Sequence, residues 1–257
     1  MKRILYFDCF SGISGDMIIG ACIDAGVSFN VLKNELNKLR LNNFKLSIKK
    51  VRRNGIHATK VDVLIKNEKS SHRKYTDIVK LIEKSLLRKE VKQKVKDIFY
   101  KLAKAESKIH KEKINNIHFH ELGGTDTIVD ITGAVICLRE LGVNEVYASS
   151  INLGGHCRIK TSHGFLTNPA PATIELLKGL PVYFSDIAFE ITTPTGAAIL
   201  SNFVETKKNN TPAQLSDFTI KKIGYGAGNA EFANHPNLLR VLIGEIKEES
   251  DEIDEVI

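Results

Sequence analysis

The sequence predicts an α/β or α+β fold in which one or more mixed sheets are flanked by helices. Segments with the alternating pattern of strands are interleaved along the chain with segments whose apolar residues recur at helical spacing. No internal repeat is visible, which argues against a solenoid or a propeller. The chain has 257 residues, of which 42% are hydrophobic, enough for one large domain or two closely packed smaller ones. The pattern does not assign the order of the strands.

The N-terminal part predicts a strand, a turn and a helix, followed by a second helix and a hairpin. Residues 3–8 form an apolar run, and the turn sequence FSGISGD leads into a helix that starts near Asp16. A second helix is predicted at 30–39. Two alternating segments, 44–51 and 57–65, flank the turn RRNG and are expected to pair as a hairpin.

The middle of the chain predicts two amphipathic helices, at 75–87 and 90–110. The short extended segment HFHE follows. Gly123 and Gly124 then allow the chain to turn, and Thr125 is placed to cap the next helix.

The last part of the chain predicts short strands around two helices. Pro171 fits the first turn of a short helix closed by Gly179, and Thr193 is expected to cap a helix with Pro194 at its first position. The predicted strands are 145–153, 158–165, 182–184, 218–224 and 237–245.

The charge distribution favours anionic partners. The net charge is +7, but the last thirteen residues, EIKEESDEIDEVI, contain seven acids and one lysine, and the rest has 36 basic and 23 acidic residues, a net charge of +13. Such a surface attracts phosphorylated small molecules or nucleic acid, although a lysine-rich proteome gives the same bias. No RNP-like sequence, zinc finger or basic stripe with interleaved aromatics is present, so specific nucleic-acid recognition is not expected. We predict a folded portion at 1–245 and a disordered acidic tail at 246–257.

The cysteines and the N-terminal sequence predict a cytoplasmic protein. The four cysteines are widely scattered with no CxxC pair, which fits reduced thiols better than a disulfide framework. No apolar run is long enough to span a bilayer, so no membrane association is expected. The polar FSGISGD stands where the apolar region of a signal peptide would continue.

The segment HFHELGGTDTIVD is the densest candidate for metal chemistry. His118 and His120 stand two apart, so in an extended backbone both imidazoles leave the same face, and Asp126 and Asp130 share one face of the following helix. Nitrogen with carboxylate oxygen suits nickel, zinc, iron(II) or cobalt. A structural role explains the same residues, because Asp126 in a first turn favours the helix dipole and histidines on a half-buried strand form hydrogen bonds.

The loop FSGISGDM is a candidate site for a metal or a substrate. Gly12 and Gly15 allow tight turns at a helix N-terminus, but the lysine and the spacing of a P-loop are missing. Asp8 and Asp16 would repel a bare phosphate unless a cation lay between them. Helix capping by Asp16 is the structural alternative. The hydroxyl donors of this loop are Ser11 and Ser14.

A second helix start offers hydroxyl groups and free N–H groups for a phosphate or carboxylate. Thr192, Thr193 and Thr195 surround it. The same geometry is common in ordinary helix caps.

Five motifs in the same order closely resemble the LarC family of nickel-insertion proteins, over nearly the whole chain. They are FSGISGDM, HFHELGGTDTIVDITGA, HGFLTNPAPAT, TTPTGAA and YGAGNAEFANHPNLLRVLIGE. The sequence departs from the usual pattern at Lys74, at Thr167 and Asn168 where proline and valine are usual, and at His235 where an arginine commonly precedes Pro236.

The resemblance implies a nickel chelatase, a metal-inserting lyase. Its implied substrate is pyridinium-3,5-bisthiocarboxylic acid mononucleotide, which becomes the nickel-pincer cofactor of lactate racemase in a reaction that consumes CTP and needs manganese or magnesium. In the family a C-terminal domain associated with nucleotide binding follows this segment, and some members make the two parts through a translational frameshift. We therefore expect this chain to be the N-terminal portion, with CTP and its metal bound through that partner domain.

The residue patterns and the resemblance together give a set of expected roles. We expect nickel to be held weakly enough to be transferred, because a closed coordination shell would trap it. Glu121 and Asp130 are the candidate catalytic groups, and either could instead orient an imidazole. The candidate metal ligands are His118, His120, Asp126, Asp8 and Asp16, and the candidate substrate-binding residues are Ser11, Gly12, Ser14, Gly15, Thr192, Thr193 and Thr195.

Two other classes of function remain open from the sequence. A nickel-binding metallochaperone or storage protein would bind the metal without needing the pyridinium nucleotide. A metal-dependent phosphohydrolase would use the acids to activate water and would release phosphate from generic nucleotides. Assembly into a homo-oligomer is also left open.

Overall fold

The computed structural model describes residues 1–66, 73–161, 164–204 and 217–246. The helices are α1 (Gly15–Asp24), α2 (Phe29–Asn37), α3 (Tyr75–Lys84), α4 (Lys89–His110), α5 (Thr125–Glu140), α6 (Pro171–Leu176) and α7 (Pro194–Phe203), with a 3-10 turn at Ile114–Asn116. The strands are β1 (Lys2–Asp8), β2 (Phe44–Arg53), β3 (Ile56–Ile65), β4 (Arg73–Lys74), β5 (His118–Phe119), β6 (Glu145–Ala148), β7 (Ile151–Asn152), β8 (Arg158–Thr161), β9 (Gly164–Thr167), β10 (Val182–Tyr183), β11 (Thr219–Ala227) and β12 (Leu238–Ile246).

Within these ranges six strands form a mixed sheet in the order β2-β3-β11-β12-β1-β6. Strand β1 lies between β12, to which it is antiparallel, and β6, to which it is parallel. Strand β11 is parallel to β3 and antiparallel to β12, and β2 and β3 form the predicted hairpin. The predicted fold class, a mixed sheet with flanking helices, is confirmed, and the strand order is new information.

The helices pack on the sheet and on one another around a continuous apolar core. Helix α1 packs on β11 and β3 and on α5, and the long helix α4 packs on α3, α5, α6 and α7. Fully buried side chains from sheet and helices belong to the same cluster, among them Phe7, Ile18, Phe99 and Ile199. Burial of this apolar surface is the main stabilising contribution to the fold.

Three local predictions are corrected by the structure. Thr125 is the first residue of α5 and Gly124 is its cap, because the Thr125 hydroxyl accepts hydrogen bonds from Asn43 and Arg73 instead (both 3.2 Å). The predicted strand 145–153 is split into β6 and β7, since Ser149 leaves the sheet and accepts a hydrogen bond from the Cys9 N–H (2.9 Å). The predicted strand 158–165 is the first part of an antiparallel pair, β8 and β9.

Two further predictions concern the membrane and the C-terminal tail. Across the described ranges, no helix combines the length and the apolar composition needed to cross a bilayer. The predicted disorder of the acidic tail at 246–257 falls, apart from Ile246 at the end of β12, on residues outside the described ranges.

Candidate functional site

The loop after β1 is fixed by backbone hydrogen bonds to the segment that leads into α7. The Ile13 N–H donates to the Ile191 carbonyl (3.0 Å), and the Thr193 N–H donates to the Ile13 carbonyl (3.1 Å). Gly12 makes this approach with φ +75°, and a Cβ there would lie 2.1 Å from the Ile191 oxygen. The loop glycine is therefore required by the backbone, and the N-termini of α1 and α7 are held side by side.

The start of α7 confirms the predicted cap. The Thr193 side chain accepts a hydrogen bond from the Gly196 N–H (3.1 Å), and Pro194 occupies the first helical turn. Thr192, in contrast, is fully buried, and its hydroxyl donates to the Asn152 carbonyl (2.6 Å). Thr192 therefore stabilises the loop rather than facing a ligand.

A cavity of about 330 Å³, which we call the acidic cleft, lies where α1, α5 and α7 begin. It brings together seven of the candidate residues. The lining residues are Ser14, Gly15, Asp16, Val61, Asp62, Val63, Leu64, Asp126, Thr127, Asp130, Thr193, Thr195 and Asn229. Because the partial positive charges of helix N-termini favour anions, while the aspartates favour cations, the cleft suits a cation and an anion bound together.

Asp130 is the electrostatic centre of the acidic cleft. Its Oδ1 atom is buried and has no hydrogen-bond partner. Burial, followed by the charges of Asp16 and Asp126, raises the pKa of Asp130 well above its ordinary value. Burial also raises the pKa of Asp16, although a hydrogen bond from the Ser14 hydroxyl opposes this shift. A carboxylate in this position requires a proton or a cation to be stable.

Lys60 lies beside the cleft, where its charge partly offsets the raised pKa values of Asp16 and Asp130, but its hydrogen bonds go elsewhere. Its side chain is buried, and Nζ donates to Asp62 Oδ1 (2.5 Å) and to the Asn229 side-chain oxygen. Burial alone would raise the pKa of Asp62, but hydrogen bonds from Lys60 and Lys49 outweigh it and lower the pKa. Among the described residues that line the cleft, none is lysine or arginine.

A second cavity of about 320 Å³, which we call the imidazole cavity, also borders the first turn of α7. Pro194 lines this cavity, whereas Thr193 and Thr195 line the acidic cleft. Its walls are mostly apolar, with two histidines and two glutamates among them. The lining residues are Glu106, Ile109, His110, Phe119, His120, Glu121, Leu122, Thr161, Leu166, Ala170, Pro171, Ala172 and Pro194.

The polar groups at the imidazole cavity interact with one another. His110 Nε2 lies 3.1 Å from Glu106 Oε2, one turn earlier on α4. Burial, with a smaller contribution from the charge of Glu121, raises the pKa of Glu190 to about 7. Glu190, which interacts electrostatically with Glu121, therefore carries a carboxyl group that exchanges a proton near neutral pH.

The structure separates the two predicted histidines. Both histidines are exposed and Phe119 between them is buried, but β5 ends at Phe119, so only His118 lies on the strand. His120 lines the imidazole cavity, but His118, opposite Lys74 in the short sheet of β4 and β5, lines neither cavity.

Three other candidates lie outside both cavities. Asp8 accepts hydrogen bonds from the Arg240 guanidinium, with Nε 2.9 Å from Oδ2. Ser11 is fully buried, and its hydroxyl lies 3.0 Å from His235 Nε2. Gly12 has the backbone role described above. These positions stabilise the loop after β1 and bring no ligand atom to either cavity.

The two cavities offer different ligand atoms. The acidic cleft provides carboxylate, hydroxyl and amide oxygens, whereas the imidazole cavity adds nitrogen. Over the ranges that the structure describes, no three His, Cys, Asp or Glu side chains are placed to hold a metal ion by themselves. A metal at either cavity would therefore need additional ligands from water or from a substrate.

Sequence reasoning did not identify several residues in or beside these cavities. His110 stands in the last turn of α4, where a protonated imidazole also favours the helix dipole. Lys60, Glu190 and Asn229 carried no local signal, because each reaches its place through contacts between distant segments.

Comparisons with known proteins agree on one family. Residues 5–257 match the family model described as nickel insertion protein. A putative nickel insertion protein of Dictyoglomus thermophilum is 46% identical over 249 residues, which is 96% of this chain and 62% of that protein. The pyridinium-3,5-bisthiocarboxylic acid mononucleotide nickel insertion protein of Geobacillus kaustophilus is 46% identical over 252 residues, 95% of this chain and 60% of that protein.

A protein of the same description from Desulfitobacterium hafniense is 45% identical over 247 residues, 96% of this chain and 60% of that protein. The chain thus spans 60–62% of the length of these curated relatives. No solved structure matches the chain.

Proposed function

The chain belongs to the nickel insertion protein family, and on that premise we propose that it acts in nickel insertion into pyridinium-3,5-bisthiocarboxylic acid mononucleotide. Relatives of 45–46% identity carry this substrate in their descriptions. The activity is that of a nickel chelatase in cofactor biosynthesis, and the product would be the nickel-pincer cofactor of lactate racemase.

One observation carries the assignment to this part of the molecule: both cavities border the same helical turn. Thr193 and Thr195 face the acidic cleft, and Pro194 between them faces the imidazole cavity. A mononucleotide has an aromatic ring at one end and a phosphate at the other. A ligand lying across the first turn of α7 would place its two ends in cavities of different chemistry.

We assign nickel to the imidazole cavity. Imidazole nitrogen is a good nickel ligand, and His120 and His110 both line this cavity. Glu121 is placed there to coordinate the metal or to orient an imidazole. His118, on β5 two residues before His120, stays a candidate only as a ligand from outside the cavity.

Incomplete coordination suits a metal that must be passed on. The described side chains do not form a closed shell, so positions remain for the sulfur atoms of a thiocarboxylate. Sulfur is a softer donor than carboxylate oxygen and favours late transition metals. Nickel would therefore move from nitrogen and oxygen ligands of the protein to sulfur ligands of the substrate.

The substrate anion is assigned to the helix starts at the acidic cleft. Gly15 and Thr195 provide N–H groups, and Thr193 and Thr195 provide hydroxyl groups, at the N-termini of α1 and α7, whereas the Ser14 hydroxyl donates to Asp16. Asp130 and Asp16 are then next to the anion rather than next to nickel. Ser11, Gly12 and Thr192 support these starts through the backbone.

We do not place CTP in the acidic cleft, because the described residues lining it include no lysine or arginine to contact a triphosphate. We assign CTP to a C-terminal domain of the family. We also assign the protein to the cytoplasm, because its four cysteines are free thiols, as is usual in a reducing compartment.

Nickel calorimetry on this chain tests the proposal. His120→Ala should weaken nickel binding at least roughly tenfold, because it removes a direct ligand. His57→Ala, an exposed histidine on β3 outside both cavities, is the matched control and should leave binding unchanged.

A second titration in the presence of the bisthiocarboxylated mononucleotide separates insertion from simple storage. Insertion requires that the mononucleotide change the nickel affinity or release. An unchanged titration would favour a metallochaperone, and equal nickel binding by wild type and His120→Ala would remove nickel from the imidazole cavity.

A further inference from the structure

We propose that the acidic cleft binds a hard divalent cation, such as Mn²⁺ or Mg²⁺, at Asp16, Asp126 and Asp130, separately from nickel. This cation would connect the aspartates to the phosphate of a bound mononucleotide. The phosphate partner rests on the proposed function, whereas the cation site rests on the cleft alone.

The ligand atoms of the cleft select for a hard cation. All polar side chains on its wall carry oxygen: four aspartates, three threonines, a serine and an asparagine. Within the described residues, no imidazole and no thiol lines the cleft. Carboxylate and carbonyl oxygens suit magnesium and manganese, whereas nickel gains from the imidazoles of the neighbouring cavity.

Asp130 provides independent evidence that the cleft binds a positively charged group. Its Oδ1 is buried without a hydrogen-bond partner, and its carboxyl group interacts electrostatically with Asp16 and Asp126. Burying a carboxylate without a partner is costly, so such groups in proteins are paired or bind metals. The charge of Lys60 lowers the pKa of Asp130 and of Asp16 only in part, because burial still raises both, and its hydrogen bonds go to Asp62 and Asn229.

A hard divalent cation of this kind does not need a complete set of protein ligands. Magnesium keeps several waters and commonly binds through one or two carboxylates together with substrate phosphates. Asp126 already accepts a hydrogen bond from the Thr127 N–H through Oδ1 (2.8 Å), which leaves its second oxygen for the cation. The N-termini of α1 and α7 then face the phosphate from the other side.

Mn²⁺ binding measured by electron paramagnetic resonance tests the site directly. Wild type should bind Mn²⁺, and Asp130→Asn should weaken the affinity at least roughly tenfold, because it removes the buried ligand charge. Asp126→Asn, at an exposed position, provides a second variant if Asp130→Asn misfolds. Asp77→Asn is the matched control, because Asp77 is exposed in the first turn of α3 and should have no effect.

The phosphate connection is tested with nicotinic acid mononucleotide, a pyridinium mononucleotide without sulfur. It should tighten Mn²⁺ binding to wild type and have no such effect on Asp130→Asn. An unchanged Mn²⁺ affinity in wild type would refute the bridge to the phosphate.

The cation site and the nickel site fail in different ways. If Asp130→Asn and Asp126→Asn bind Mn²⁺ like wild type, the cation site is wrong, even if His120→Ala still loses nickel. If Asp130→Asn loses nickel while His120→Ala retains it, the cleft is the nickel site and this inference is overturned. Loss of Mn²⁺ in Asp130→Asn with nickel unaffected by His120→Ala would support the cation site and refute the nickel assignment.

Discussion

Replacing Asp130 by asparagine should stabilise the metal-free protein. The substitution keeps the size of the side chain and removes a buried negative charge that has an unpartnered oxygen and two neighbouring aspartates. Burying an unpartnered polar group costs about 1–3 kcal/mol and more when the group is charged, and asparagine removes the charge. We therefore expect the free energy of unfolding to rise by about 1–3 kcal/mol at pH 8. With roughly 2–4 °C per kcal/mol, the melting temperature should rise by roughly 2–12 °C.

The gain in stability from Asp130→Asn should increase as the pH rises. Burial and the neighbouring aspartates raise the pKa of Asp130 in the folded state, so the folded protein binds this proton more tightly than the unfolded chain does. The wild type then loses stability as the pH rises from about 4, the ordinary aspartate pKa, through the raised folded pKa. Asp130→Asn lacks this loss, so the difference between the two proteins should widen with pH and nearly vanish below about pH 4.

Thermal and urea unfolding of wild type, Asp130→Asn and the surface control Asp77→Asn, all with a chelator, provide the assay. The chelator matters because a bound cation would stabilise only the wild type. If Asp130→Asn is equally stable or less stable than wild type at pH 8, the charge of the Asp130 carboxylate does not destabilise the folded protein. The argument that the cleft requires a cation would then fail.

Three further changes test the local geometry. Gly12→Ala should cost at least about 2 kcal/mol of unfolding free energy, because the residue has φ +75° and a Cβ would overlap a carbonyl; a wild-type urea midpoint would contradict this. Thr193→Ala should cost about 1 kcal/mol by removing the cap to the Gly196 N–H, and Thr193→Ser should restore it. Glu121→Gln should lower the pKa of Glu190 from about 7 by a modest amount, since burial is the larger cause; carbon-13 NMR of the carboxyl groups measures it, and an unchanged value would show that the two glutamates do not interact.

The sequence predicted those features that are determined by neighbouring residues. The Thr193 cap with Pro194 and the β2–β3 hairpin follow from short-range backbone and periodicity rules. The convergence of α1, α5 and α7 was not predictable in this way. The candidates near their starts were nevertheless found, because serine, threonine and aspartate at helix N-termini are recognisable without knowing the packing.

Distant pairing decides where several candidates lie. Asp8 was a metal candidate from its place before the FSGISGDM loop, and in the structure its carboxylate accepts hydrogen bonds from Arg240 on the adjacent strand β12. Of His118 and His120, His120 lines the imidazole cavity, whose other histidine is His110 at the end of α4. Such partners depend on sheet order and helix packing, which one sequence does not specify.

X-ray absorption at the nickel edge tests the central claim most directly, because it identifies the atoms bound to nickel. The wild-type protein loaded with nickel should show imidazole nitrogen among the ligands, and His120→Ala should lose that signal. Addition of the bisthiocarboxylated mononucleotide should replace nitrogen and oxygen by sulfur. A shell of oxygen alone that does not change in His120→Ala or on addition of the mononucleotide would contradict both the nickel assignment and the proposed transfer.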